Sequence, residues 1–500
     1  MGYARPLMMV FSVLSIEQAR SEVGPEPPMS APSMPVSATK GGQWALSQGT
    51  VSSLQLSLAD AVAMGLRTNR DIRRSYLQRV AQKFDVQVAE AFFSPRFHLS
   101  ARQVARRDSE DRRQEVSVTP KASLNTEWGT RFSLSWAQRV DRTDRAGRQQ
   151  QRGLGIEVVQ PLLKNAGRDV VTAPRQRARL NERSHRLGLE ASVAQSVTQI
   201  VSAYRELLKA QEQLRIVTRA LERSREQMRV NEALIASGRM AQVDRLQNEA
   251  DLAYQELNAE QASHHLEASR RALLKLLALD LTTPLHASDD LSAERIDIDP
   301  EHALSIARQR QPAYLRQRIA EELADIDLLI AKNHQQWDLS LVAGAAEDRQ
   351  RNSSNAQQRQ DRRWNAYAGV QLDIPIGDPA QRQRRVHAQV AVDTQALQQA
   401  EARQWLEQEV TDAIRTMQTH WRQYEIALRS RSLSEQKLAV ERRRLHVGRT
   451  STFQVLSFEE DLRRAENAVL NALIAYLNAQ TRLDERLGTT LDSWEIALND

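Results

Sequence analysis

The residues with chemical potential are sparse, and few are spaced to act together. His264 and His265 are adjacent, and neighbours on a helix point in different directions, so they make a poor metal pair. Glu459, Glu460 and Asp461 offer carboxylates for acid–base work. Three consecutive helical positions read better as a solvated face than as a convergent dyad. Gly153-Leu154-Gly155 lacks the third glycine of a dinucleotide loop and lies in a strand-like stretch. No Walker A, His-Glu-x-x-His or Gly-x-Ser-x-Gly pattern occurs. Arg442-Arg443-Arg444 is basic but has no neighbouring aromatic platform for bases to stack on. The expectation is a protein that is not an enzyme, with no catalytic residue, cofactor, metal or nucleic-acid partner.

The elements that carry these residues are unusual. The 500 residues include only 18 Gly and 15 Pro, with 5% aromatic, 26% charged and 41% hydrophobic side chains. Chains so rich in helix formers and so poor in turn residues read as long helices or coiled coil. The absence of Cys excludes disulfides, thiolate metal sites, a Cys nucleophile and a lipidated N-terminal Cys. A net charge of +6 is small for this length and does not point to nucleic acid. No apolar run approaches a membrane-spanning helix, but alternating barrel strands barely register in hydropathy and stay open. Arg5 followed by the apolar run Leu7–Ile16 reads either as a secretory signal or as an apolar terminus; Glu17 is poor two residues before a cleavage site at Ala19. Pro25, Pro27, Pro28, Pro32 and Pro35 mark a linker or arm over 24–43.

The chain is written twice. Residues 57–100 match 299–342 at an offset of 242: Ala61 falls on Ala303, Asp85 on Asp327 and Phe97 on Leu339. Both copies open on helix-start chemistry, Ser57 with Asp60, and Asp299 with Pro300. Gly238-Arg239 matches Gly448-Arg449 at an offset of 210, so one insertion of about 32 residues in the first half explains most of the difference. Each half reads as helix, strands, long helix, turn, long helix. Ile200, Tyr204, Leu207, Gln211, Leu214, Val217 and Leu221 follow a coiled-coil period, as do Ile414, Met417, Trp421, Tyr424 and Leu428. The returning helices share a register, with Leu252, Ala259, Leu266 and Leu273 against Leu462, Val469, Tyr476 and Leu483. A helix from Pro174 to Ser237 would run on the order of 95 Å, so it must pack beside other rods.

Between the helices, Trp364, Ala366, Ala368, Val370, Leu372 and Ile374 alternate with polar residues over a length that suits a tilted membrane strand. Leu339, Leu341 and Ala343 begin its partner, and polar Asp348–Arg363 reads as an exposed loop. In the first half Phe97, Leu99 and Ala101 begin one strand, and Leu154, Ile156 and Val158 belong to another. Residues 108–150 read either as an added hairpin around Trp128-Gly129 or as an external loop; Pro120 argues against a central strand. Trp128, Trp136, Trp337 and Trp364 are candidates for an interfacial girdle, with packing against helices the alternative for Trp337. Arg102, Arg106, Arg107, Arg112, Arg113, Arg142, Arg145 and Arg148 gather at strand ends, either as solvated charge or to meet lipid phosphates. So few strands cannot close a barrel alone, so several chains must share one if they span a membrane. The competing reading is a soluble coiled-coil scaffold with β caps.

The first-helix pattern LSLADAVAMGLRTNRDIRRSY, the stretch VVQPLLKNAGRDV and the two tip segments, in this order and duplicated, resemble the TolC-like outer-membrane efflux protein family over about residues 54–490. The resemblance implies a fold that is mainly α with a membrane β-barrel portion. Its parts are duplicated long helical hairpins with coiled-coil packing, and about four strands per chain in a trimeric barrel. It implies an outer-membrane channel of a tripartite efflux pump or type I secretion system, passively conducting solutes, with its helices in the periplasm. The implied partners are two further copies, a periplasmic adaptor (membrane fusion) protein, an inner-membrane transporter and outer-membrane lipid. The organisation expected is an arm over 1–53, a first repeat over 54–284 (strands 96–160, hairpin 174–280), a linker over 285–298, a second repeat over 299–490 (strands 338–375, hairpin 380–487) and a tail over 491–500.

By that resemblance the adaptor docks at the hairpin tips, on Gly238, Arg239, Val447, Gly448, Arg449, Thr450 and Ser451. A glycine there also has a plain mechanical reading as a left-handed helix cap. Arg239 and Arg449 stand where the family pattern has Leu, which makes the docking chemistry more polar. The resemblance also places a periplasmic constriction at Asp244, Gln454 and Ser457. A ring of Asp244 carboxylates would favour cations modestly, and the alternative is a solvated carboxylate at a helix start.

Overall fold

The computed structural model describes residues 54–107, 112–143, 147–236, 243–353, 358–447 and 449–498. The expected signal segment, the Pro-rich arm and the tip residues Gly238, Arg239 and Gly448 lie outside the described residues, as does Arg145. The first half runs β1 (Leu54–Leu56), α1 (Leu58–Thr68), α2 (Arg70–Glu90), β2 (Arg96–Arg107), β3 (Arg112–Asn125), β4 (Arg131–Thr143), β5 (Gly147–Pro161), α3 (Arg168–Ala236) and α4 (Val243–Leu276). The second runs β6 (Leu285–Ala287), α5 (Pro300–Arg310), α6 (Pro312–His334), β7 (Asp338–Ser353), β8 (Gln358–Asp373), α7 (Pro379–His446), α8 (Thr452–Leu487) and α9 (Thr490–Ser493).

The helix starts form as their sequence chemistry requires. Ser57 caps α1 by accepting from the Asp60 amide, and Asp299 caps α5 by accepting from the Glu301 and His302 amides. Each opening helix is nevertheless two helices. Asn69 has ψ 128° and Gln311 has ψ 116°, both outside the helical range. Each ends one helix and caps the next: Asn69 accepts from the Asp71 and Ile72 amides, and Gln311 from the Tyr314 amide. These breaks fall at the same place in the two repeats.

The rods are α3, of 69 residues, and α7, of 68, each on the order of 100 Å long. α3 begins at Arg168, six residues ahead of the expected start, and carries Pro174 inside it. Gly167, at φ +89°, sets that earlier start. α4 packs on α3, α3 on α8 and α8 on α7; α2 packs on α3, and α6 lies against both α3 and α7. The coiled-coil positions supply the core. Ile200, Tyr204, Leu207, Val217 and Leu221 are buried on α3, and Leu406, Val410, Ile414 and Met417 on α7. The returning helices differ. Leu462, Val469, Tyr476 and Leu483 are all buried because α8 is flanked by two rods, whereas of the matching positions Leu252, Ala259, Leu266 and Leu273 on α4 only Leu273 is, because α4 packs on α3 alone.

β1 and β6 pair in parallel beside the helices. The other strands form one antiparallel sheet of six, in the order β2-β3-β4-β5-β7-β8, rather than about four. Residues 108–150 supply the difference: β3 and β4 are a hairpin within the sheet, turned through Thr126–Thr130 with Gly129 at φ +92°. β3 is paired on both sides despite Pro120, because the β3–β4 ladder skips Thr119 and Pro120, so the missing N–H is not required there. Most of Asp348–Arg363 is strand and not loop: β7 reaches Ser353 and β8 starts at Gln358. Polar side chains on both faces leave the backbone free to pair wherever water can solvate them.

Candidate functional site: the sheet faces and the helical tips

Residues directly opposite in an antiparallel ladder point to the same face. Phe97, Ala122, Leu134, Ile156, Ala345 and Ala366 therefore form one row across all six strands. Leu124, Phe132, Val158, Ala343 and Ala368 form the next row toward the helices. These side chains face outward: Phe97 is 84% exposed, Leu99 68% and Val370 68%. A continuous exposed apolar face of this extent needs a partner or a lipid solvent.

The opposite face is polar. Ser123, Ser133, Glu157, Gly344 and Tyr367 share one of its rows. Tyr367 lies across Gly344, where an added Cβ would sit 2.6 Å from the ring, and its hydroxyl donates to Glu157 at 3.5 Å. The arginines expected at strand ends divide by register. Arg107, Arg112, Arg142 and Arg148 extend the apolar face, and Arg102, Arg106 and Arg113 the polar one. Trp364 is the last apolar residue of its face on β8 and Trp136 stands in the same row on β4, while Trp128 and Trp337 stand at the helix end of the sheet. Trp337 is 55% exposed, so it is not buried in helix packing.

The far end of the second hairpin is built by α7 and α8. Leu438, Val455 and Leu462 pack together with Leu445 and Phe458. Glu441 is buried there; it accepts from the Thr450 hydroxyl and pairs with Arg444 at 3.5 Å. Ser451 caps α8 by accepting from the Gln454 amide. Val447, Arg449, Ser451, Gln454 and Ser457 are exposed, whereas Thr450 is half-buried and engaged. In the first hairpin Asp244 is placed only as the second residue of α4. Glu441 escapes a sequence reading because a charged residue on a long polar helix carries no mark of burial.

Nearer the sheet, two tyrosines fasten the segments that join the repeats. Buried Tyr204 donates its hydroxyl to the Leu56 carbonyl at 2.8 Å and lies 2.9 Å from Asp289 Oδ2, which also accepts from the Leu58 amide at 2.7 Å. Burial beside that carboxylate raises the Tyr204 hydroxyl above the ordinary phenol range. Tyr476 does the same in the second repeat, donating to the Glu294 carbonyl at 2.9 Å and accepting from the Ile296 amide at 3.1 Å. Arg205 ties the repeats together, donating from α3 to the Leu477 carbonyl at 2.5 Å and Thr481 Oγ1 at 2.8 Å on α8. Burial brings its guanidinium down to about 10, and burial also raises the nearby Asp484 carboxyl. Among the described residues no helix is long and apolar enough to cross a membrane, and no cluster fits a metal ion.

No family model and no curated protein sequence matches the chain. Solved structures do. The Campylobacter jejuni CmeC outer membrane channel superposes with a TM-score of 0.66 at 15% identity, over 87% of this chain and 86% of that one. The Neisseria gonorrhoeae MtrE outer membrane channel in its open state gives 0.65 at 14%, over 87% and 89%. The Vibrio cholerae outer membrane protein VceC gives 0.64 at 15%, over 86% and 96%. Near-complete coverage in both directions at such low identity is a likeness of architecture. The protein has the fold of the TolC-like outer-membrane channels.

Proposed function

We propose that three copies of this chain form an outer-membrane channel that passively conducts solutes outward, as one component of a tripartite efflux pump or type I secretion system. The observation that carries this reading is the six-stranded sheet, apolar along one face in register and, among the described residues, unpaired at both edges, β2 and β8. Open edges are not tolerated in lipid, so the edges of neighbouring copies must pair. Three such sheets make an eighteen-stranded barrel, a strand number that leaves an aqueous lumen. The helices support the same closure. Exposed Ile426, Leu433 and Val440 recur every seven residues on α7, and Leu246, Tyr254 and Leu257 are exposed on α4, the rod at the other edge. A heptad seam without a partner in its own chain suits a neighbouring copy.

In this assembly the helical part lies in the periplasm. The tips, Gly238, Arg239 and Val447 through Ser451, dock a periplasmic adaptor, which links the channel to an inner-membrane transporter. Asp244, Gln454 and Ser457 line the constriction, and its carboxylates confer a modest cation preference. The alternative of a soluble scaffold leaves the apolar sheet face in water.

The test is expression of the full chain in a Gram-negative host, followed by fractionation, mild-detergent electrophoresis and planar-bilayer recording. The expected outcome is an outer-membrane, heat-modifiable species of three times the monomer mass that conducts ions. A monomer released without detergent and lacking conductance would exclude the channel.

A further inference from the structure

On β5, β7 and β8 the apolar face ends abruptly toward the hairpin ends of the strands. On β8 the last apolar residue is Trp364 and the next on that face is Arg362; on β5 Leu154 is followed by Arg152; on β7 Ala345 is followed by Glu347 and then Arg349. Arg152 stands directly opposite Arg349, and Arg349 directly opposite Arg362. Three adjacent strands thus present three guanidiniums in one row. Arg351 is the next residue outward on that face of β7. Glu347 accepts from Arg349 Nε at 2.6 Å and from Arg362 Nε at 2.7 Å. It is the one carboxylate on this face of β5, β7 and β8 among the described residues. Like charges directly opposite in a ladder repel, so a single carboxylate leaves the row with an excess of positive charge, and Arg349 and Arg362 remain 53% and 67% exposed.

Depth indicates which anion this row would meet. Leu372 to Trp364 spans about 26 Å along the strand at about 3.3 Å per residue, or about 20 Å of membrane normal at about 40° tilt, close to the height of a barrel's apolar band. The arginine row lies about 5 Å farther out by the same spacing, at the level of the lipid headgroups. We infer that Arg152, Arg349 and Arg362, with Arg351, bind the phosphates of an outer-leaflet glycolipid, the phosphorylated glucosamine headgroup of lipopolysaccharide. Guanidinium forks match phosphate oxygens, and the row offers several side by side. The inference rests on the reading of the sheet as an outer-membrane wall with its hairpin ends outward.

The experiment is native mass spectrometry of the detergent-solubilised full chain, titrated with deep-rough lipopolysaccharide. The variants are the triple Arg152→Gln/Arg349→Gln/Arg362→Gln, the single Arg349→Lys, and a polar-face control, Arg106→Gln/Arg113→Gln. The triple variant should bind at least about tenfold more weakly, Arg349→Lys should fall between it and the natural chain, and the control should bind as the natural chain does. Inorganic phosphate at millimolar levels should not displace the lipid. Equal binding by the triple variant and the natural chain, equal loss in the control, or displacement by free phosphate would overturn the inference. Fractionation keeps the two readings apart. A heat-modifiable outer-membrane protein whose triple variant binds normally refutes only the lipid site, whereas a protein absent from the outer membrane refutes the wall itself.

Discussion

Asn69 Nδ2 donates to the Leu276 carbonyl at 3.0 Å, tying the start of α2 to the end of α4 across 207 residues of sequence. Thr68 Oγ1 donates to the Leu277 carbonyl at 2.6 Å beside it. The carbonyls at the end of α4 and just past it, which have no partner within that helix, are met by the junction between α1 and α2. In the second repeat α8 ends on Gly488 at φ +75°, where a Cβ would lie 2.6 Å from the Arg310 carbonyl oxygen, next to Gln311. A short helix therefore abuts the end of each returning rod at the same junction of both repeats.

Asn69→Ala removes two capping bonds and the bond to Leu276 from a buried position, and should cost about 1–2 kcal/mol. Gln311→Ala loses a single cap and should cost about 1 kcal/mol or less. Chemical denaturation of the two variants in detergent checks the order, and equal losses would contradict the difference in bonding.

Tyr204→Phe takes away the hydroxyl that lies between the Leu56 carbonyl and Asp289, leaving the carbonyl of buried Leu56 without that donor. A loss of about 1–2 kcal/mol is expected. Hydrogen exchange should quicken at Leu54–Leu56 and Leu285–Ala287, the paired strands it fastens, and remain unchanged at the far tips.

Thr450→Val deprives buried Glu441 of its hydroxyl donor and should cost about 1–2 kcal/mol. Looser packing of the turn should speed tryptic cleavage after Arg449 several-fold, against an unchanged rate elsewhere. Ser451→Ala, which loses the α8 cap, is expected to act in the same direction with about 1 kcal/mol.

Burial raises the carboxyls of Asp484, Glu466 and Glu409 above their ordinary values. For such groups the folded state holds protons more tightly than the unfolded chain, so their contribution is most favourable below the unfolded pKa. It declines as pH rises through the window up to the raised folded values. Melting temperatures of the natural chain and of Asp484→Asn between pH 4 and 7 check this. The substitution should flatten that part of the profile, and an unchanged slope would remove Asp484 as a source.

Several features were legible in the residues alone because they are periodic or local. Heptad spacing on α3 and α7 follows from one turn of helix recurring, and the caps at Ser57 and Asp299 need only their own first turn. The duplication and the alternation of Trp364 through Leu372 are likewise properties of order along the chain. The strand count was not legible. Whether 108–150 makes wall or loop depends on cross-strand pairing, and Pro120 is tolerated only because the ladder skips it. The helix breaks at Asn69 and Gln311 have local causes, since Pro312 disfavours helical backbone at Gln311 and Asn69 caps the helix that follows it; what the residues alone do not reveal is that each break lies against the end of a returning rod.

The tertiary structure alone decided which side chains share a face. Arg152, Arg349 and Arg362 are scattered along the sequence and become one row only when three strands pair in register. Glu441 and Thr450 meet only once the tip turns back on itself. Sequence determines periodicity, because each residue's direction follows from its own backbone; neighbours across strands and between rods follow from pairing over long distances, which no local pattern encodes.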